Sequence, residues 1–206
     1  MRRSQLFILL GSVVVFGCRS QDAVSPVGFL SDYSKLERVS PAHYRYVAPD
    51  NPLARYSSFI VDSVALDWHE GSRIPRQLDA GKVTHAEMED LAAYLRRAVI
   101  SALAEEYTIA QQPAPGVARI RMALTDVQSA TPRLGDDPRR GAGLGRAAME
   151  AEILDSVTGE QIGAIVIISR GGSHGLTVLK DWSQPKVVMK QWATQFRKYL
   201  DDAHTE

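Results

Sequence analysis

One cysteine, Cys18, serves the whole 206-residue chain, and it stands directly behind an apolar run near the N-terminus. No pair of thiols exists to staple a loop or hold a zinc ion, so the fold has to be carried by a hydrophobic core. The composition allows one: 45% of residues are apolar and 23% charged, close to globular averages, and the length suits a single domain.

The apolar run, Leu6 to Phe16, follows the positive head Met1-Arg2-Arg3-Ser4-Gln5. It is eleven residues long, whereas a spanning helix needs about 20. A basic head with a short apolar core reads as an export signal. Val15-Phe16-Gly17-Cys18 then resembles a bacterial lipoprotein processing site, with Phe16 where a small residue is usual. Cysteine is required there because its thiol is alkylated by a diacylglyceryl group before cleavage frees its amine for a further chain. With Cys18 so used, thiol chemistry is excluded elsewhere. Arg19 and Ser20 follow instead of an aspartate, which for such lipoproteins implies the outer membrane and a domain facing the periplasm. The expected organisation is a signal peptide over 1–17, a lipidated cysteine and tether over 18–27, and one globular domain over 28–206. Loss of residues 1–17 removes two of the 24 basic residues and none of the 24 acidic ones, a net charge of −2. That balance gives no field for nucleic acid.

Within the domain, Gly28 to Tyr33 begins an irregular arm with turn formers at Pro41, Pro49 and Pro52. Ser58 to Leu66 is rich in branched residues and predicts a first, central strand. Thr84-His85-Ala86-Glu87 is a capping box opening a helix with Met88, Leu91, Ala92, Leu95, Val99, Ala102 and Leu103 on one face. Tyr107 to Ala110 predicts a short strand. Val117 to Gln128 alternates Ile120, Met122 and Leu124 with Arg119 and Arg121, a half-buried strand. Ala147 to Ser156 repeats the pattern, with Met149, Ala151 and Ile153 inward and Glu150 and Glu152 on a solvated face. A turn at 157–160 leads into a strand over 162–169. A last helix opens at Ser183 or Gln184, with a stripe of Val188, Trp192, Phe196 and Tyr199. The expected fold is α+β: one mixed, mostly antiparallel sheet with two main helices packed on it.

Several of these segments together resemble the bacterial lipoproteins grouped as domain of unknown function 3313. They are Gly28-Phe29-Leu30-Ser31-Asp32-Tyr33-Ser34, Leu53-Ala54-Arg55-Tyr56, Ala123-Leu124-Thr125-Asp126-Val127 and the run from Glu150 to Glu160, with Trp182 and Trp192. The resemblance spans about 28 to 200 and brings no catalytic residues, because the family has none established.

The residues themselves offer no strong catalytic set. Gly171-Gly172-Ser173-His174-Gly175 fits a nucleophile elbow in letters, and a periplasmic serine hydrolase using Ser173 is the alternative reading. An elbow needs a helix immediately after the serine, and Leu176 to Leu179 reads as extended chain. Gly141 to Gly145 lacks the spacing and the helix that a phosphate loop requires. The five histidines show no ligand spacing, so neither metal nor cofactor is expected. The long connection 129–146 carries Arg133, Arg139, Arg140 and Arg146, candidates for contact with anionic headgroups or a partner. The sequence therefore points to a non-enzymatic envelope lipoprotein, held to the membrane by its lipid and binding an envelope protein or further copies of itself.

Overall fold

The computed structural model describes residues 26–129, 145–170 and 182–205. Cys18, Arg133, Arg139, Arg140 and Ser173 lie outside the described residues, as does the signal segment. The domain is an α+β fold built on one mixed eight-stranded sheet. Three long strands form its centre: β6 (Val117–Gln128), β7 (Arg146–Asp155) and β8 (Gln161–Arg170), an antiparallel meander. The sheet continues beyond β8 with β2 (His43–Val47) and β1 (Glu37–Ser40), and beyond β6 with β3 (Ser58–Val61) and β5 (Thr108–Ile109). A two-residue strand, β4 (Ala65–Leu66), pairs with β6 further along.

Two features depart from the sequence expectation. Residues 58–66 form two short strands, and β3 lies next to the edge strand β5 instead of at the centre. From Val61↔Ile120 to Ala65↔Ala123 one strand advances four residues while β6 advances three. The extra residue breaks the ladder as a bulge does. The segment expected to be irregular contains the β1–β2 hairpin, which pairs antiparallel with β8.

Helix α2 (His85–Leu103) begins as expected. The Thr84 hydroxyl accepts from Glu87 N–H at 3.2 Å, and the Glu87 carboxylate accepts from Thr84 N–H at 2.7 Å. Its apolar stripe packs against α3 (Ser183–Thr205) and over β3, β4 and β5, while α3 covers β7 and β8. A short helix, α1 (Ile74–Asp79), precedes them and buries Ile74. Along α3 the fully packed side chains are Val188, Met189, Trp192, Ala193, Leu200 and Ala203, whereas Phe196 and Tyr199 stay half-buried.

The other face of the sheet was expected to be solvated at Glu150 and Glu152. Both are buried, at 0% and 1% exposure. The arm over residues 27–36 lies across them, with Leu30 packed on Ala164 and Val166 and flanked by Phe29, Tyr33, Leu36, Tyr44 and Tyr46. Gly28 turns the arm with a φ of 94°, a value glycine takes without a Cβ penalty. A buried carboxylate is tolerated only when donors replace its water. Here Val27 N–H donates to Glu150 Oε1 at 2.7 Å and the Tyr33 hydroxyl donates to Glu150 Oε2. Glu152 accepts from Ser31 N–H at 2.9 Å, the Ser31 hydroxyl at 2.7 Å, Gln161 Nε2 at 2.9 Å and Arg121 Nη1 at 2.5 Å. The Arg121 guanidinium also lies 4.9 Å from the centre of the Phe29 ring.

The Tyr33 hydroxyl additionally accepts from the N–H groups of Gly28 and Leu30 at 2.9 and 3.1 Å. Tyr33→Phe removes all three bonds and keeps the ring, so it should cost about 1.5–3 kcal/mol. The expected readout is a lower urea midpoint; an unchanged midpoint would refute the role given to the arm.

Candidate functional site

On the helix side of the sheet the strand registers line up side chains in rungs. One runs Met122, Ala151, Ile165, Arg45 from β6 through β7 and β8 to β2. Beside it run Leu124, Met149, Ile167, His43 and Ile120, Ile153, Gly163, Val47. The rungs are apolar over β6, β7 and β8, and two end on a cation-capable side chain at β2. Above this floor stand Trp192, Phe196 and Tyr199 of α3 with Leu95 and Val99 of α2, and a groove of about 300 Å³ lies between.

The groove exists because two floor positions are small. Ala151 and Gly163 sit where the neighbouring rungs carry Met149, Ile167 and Ile153. A Cβ built on Gly163 would meet only ordinary contacts, 3.4 Å from the Tyr46 carbonyl and 3.9 Å from Ile153. Ala151, Ile165, Ile167, Phe196 and Tyr199 remain half-buried, although they pack against the central core. Their shared half-burial follows from the strand register and the placement of α3, which a single sequence does not display.

The polar end of the groove is sparse. Arg45 is exposed, and among the described residues no carboxylate lies within 4.0 Å of it. Its cross-strand neighbour is Glu37. The Nε2 atom of His43 is buried with no hydrogen-bond partner among the described residues. Burial, with Arg45 nearby, holds the His43 pKa below its ordinary value.

Other polar clusters tie elements together. Asp126, fully buried at the β6–β7 pair, accepts from the Ser72 hydroxyl at 2.7 Å and from Arg146 Nη2 at 2.6 Å. Arg146 was expected to face a headgroup or partner from a loop. It opens β7 instead, 14% exposed at its side chain, because this buried carboxylate needs a cation. His69 approaches the same carboxylate at 3.8 Å, but the Ser72 proton is committed to Asp126 and not to an imidazole, so the three form no nucleophile–base relay. Tyr56 donates to Asp155 and Tyr107 to Asp201, both at 2.9 Å, and Arg197 grips Asp201 at 2.7 and 2.9 Å. Among the described residues no three His, Cys, Asp or Glu side chains are placed to hold a metal ion. No helix among them is long and apolar enough to cross a membrane.

An open mixed sheet with helices on one face, an arm on the other and an apolar groove between sheet and helix defines the class of domain. The chain belongs to the family described as Protein of unknown function (DUF3313), whose model matches residues 25–196. No functionally curated protein matches it. Among solved structures it is similar to the PelC dodecamer protein from Paraburkholderia phytofirmans in its L103M form, at 14% identity over 77% of this chain and 95% of that one, with a TM-score of 0.43. A homolog from Helicobacter pylori of a neuraminyllactose-binding hemagglutinin gives 10% identity over 72% and 84%, with a TM-score of 0.38. A proposed lipoprotein of Caulobacter crescentus gives 12% over 74% and 90%, with a TM-score of 0.31.

Two outcomes follow. Asp126→Ala leaves Ser72 and Arg146 without their shared acceptor and should cost about 3–5 kcal/mol in denaturant unfolding. In alkali, burial and then hydrogen bonding to carboxylates push Tyr33, Tyr56 and Tyr107 up to about 12. The unfolded chain releases these protons near 10. The folded state therefore binds more protons in that window, and stability present below pH 10 should fall as pH rises towards about 12. Tyrosinate absorbance followed with unfolding tests this: ionisation of all tyrosines near 10 without loss of structure contradicts it.

Proposed function

We propose that this protein is a lipid-anchored, non-enzymatic binding module of the bacterial cell envelope, and that its binding site is the groove between the sheet and α3. The observation that carries this reading is the groove itself: half-buried apolar side chains in a space of about 300 Å³, at the lower end of the size range of small-molecule sites. Among the described residues none of its lining side chains is a serine, threonine or cysteine nucleophile, and His43 and Arg45 stand at its β2 end. The anchor rests on the sequence around Cys18. Val27, nine positions after Cys18, hydrogen-bonds Glu150, so the anchor and the sheet lie within roughly 30 Å of each other.

Residues 19–206 contain every element and contact described above and serve as the soluble form. A neutral environment-sensitive dye such as N-phenylnaphthylamine should brighten on binding it. Ala151→Phe fills the floor and should abolish the signal while circular dichroism and the thermal midpoint stay near the parent's; Gly163→Leu, one strand over, should do the same. Binding unaffected by both would place the site elsewhere. For the anchor, intact mass of the membrane-extracted protein should show acyl groups on Cys18, and Cys18→Ser should remove them.

A further inference from the structure

We infer that the groove takes a single-chain fatty carboxylate, its tail laid along the Met122–Ala151–Ile165 rung and its carboxylate held at the β2 end by Arg45 and His43. The inference rests on the groove being the binding site and adds the chemistry of its occupant.

The tail follows from dimensions. From β6 to β2 the rung crosses three strand spacings, about 14 Å. A volume of about 300 Å³ holds roughly ten non-hydrogen atoms at about 30 Å³ each, which is one hydrocarbon chain and not two. The floor is apolar across β6, β7 and β8, with Trp192, Phe196 and Tyr199 above it and Gln195 also on the α3 side.

The head follows from what the β2 end leaves unsatisfied. Among the described residues Arg45 makes no ion pair within 4.0 Å, even with Glu37 across the β1–β2 ladder. Its planar guanidinium matches a carboxylate in a two-bond fork. His43 Nε2 is buried without a partner among the described residues, and buried polar nitrogens are rarely left so. The two side chains belong to alternate residues of one strand and face the same side, adjoining Ile165 and Ile167. A carboxylate's two oxygens offer about four lone-pair sites, enough for the guanidinium fork and the imidazole N–H together. Desolvation and Arg45 keep that imidazole neutral, so it has a single ring hydrogen to give.

The experiment is calorimetric titration of residues 19–206, refolded from denaturant to strip co-purified lipid. The ligands are dodecanoate, dodecanol and a single-chain lysophosphatidylglycerol. Dodecanoate should bind at least about tenfold more tightly than dodecanol, as a charge-assisted contact implies. Arg45→Ala should erase that preference and leave dodecanol unchanged, with Arg45→Lys in between. Each methylene removed from the acid should weaken binding about fourfold. Equal affinity for acid and alcohol, or a preference that survives Arg45→Ala, overturns the carboxylate assignment. Tighter binding of the lysophospholipid does so too, in favour of a phosphate head. If the neutral dye binds and dodecanoate does not, the occupant is wrong and the groove stands. If neither binds, the binding-site reading itself fails.

Discussion

Removing a carboxylate from water costs several kcal/mol unless hydrogen-bond donors take the place of the lost solvent, and β7 imposes that condition twice on one face of the sheet. Glu150 and Glu152 meet it only because the arm crosses above them, bringing two backbone N–H groups, a serine hydroxyl and a tyrosine hydroxyl, with Arg121 and Gln161 alongside. The arm in turn has little apolar surface to hold it, chiefly Leu30 and its aromatic neighbours. Polar and apolar contacts depend on each other here: the acids fix where the arm lies, and its side chains keep water from the acids. With that face closed, the helix side of the sheet is left to hold the core and the groove.

The segments that carry the family resemblance are the ones that meet in space. Gly28 to Ser34 covers Glu150 and Glu152, Tyr56 of the Leu53–Tyr56 segment donates to Asp155 of the Glu150–Glu160 run, and Asp126 anchors the start of β7 through Arg146. Asp155 also accepts from Val157 and Thr158 N–H, which fixes the turn into β8 and, with Tyr56, holds its carboxyl below the ordinary carboxylate range. Polar residues of this kind explain the fold's shape without implying a reaction. The groove is lined largely by residues outside those segments: His43, Arg45, Gly163, Ile165 and Phe196.

Periodicity made β6, β7, β8 and α2 legible to within a residue or so, because their patterns are long and the capping box at Thr84 has a local mechanism. It revealed less where tertiary contact decides. Alternation says that Glu150 and Glu152 share a face; it says nothing of an arm from 120 residues earlier lying on it. The hairpin β1–β2 is short, with Pro41 in its turn and Pro49 just after it, both of which read as turns, and its partner β8 is remote. Ser58–Leu66 looked like one strand since a bulge at residues 62–64 leaves no mark in hydropathy. On α3, Phe196 and Tyr199 fit the apolar stripe but stand where the floor drops at Ala151 and Gly163, a depth set by four strands in register. Arg146 sat at the end of a basic connection, and only the pairing of β6 with β7 brings it to Asp126.

Three phenol–carboxylate pairs among the described residues join positions far apart in the chain: Tyr33 to Glu150, Tyr56 to Asp155 and Tyr107 to Asp201, with separations of 117, 99 and 94. Loop closure over such distances precedes any reward from the contact, which is the signature of a high-contact-order fold that matures slowly. The first hundred residues cannot complete their hydrogen bonding until β7 and α3 have been synthesised. A half-made polypeptide of this sequence thus stays open and threadable, and tertiary closure waits for the C-terminal half to arrive.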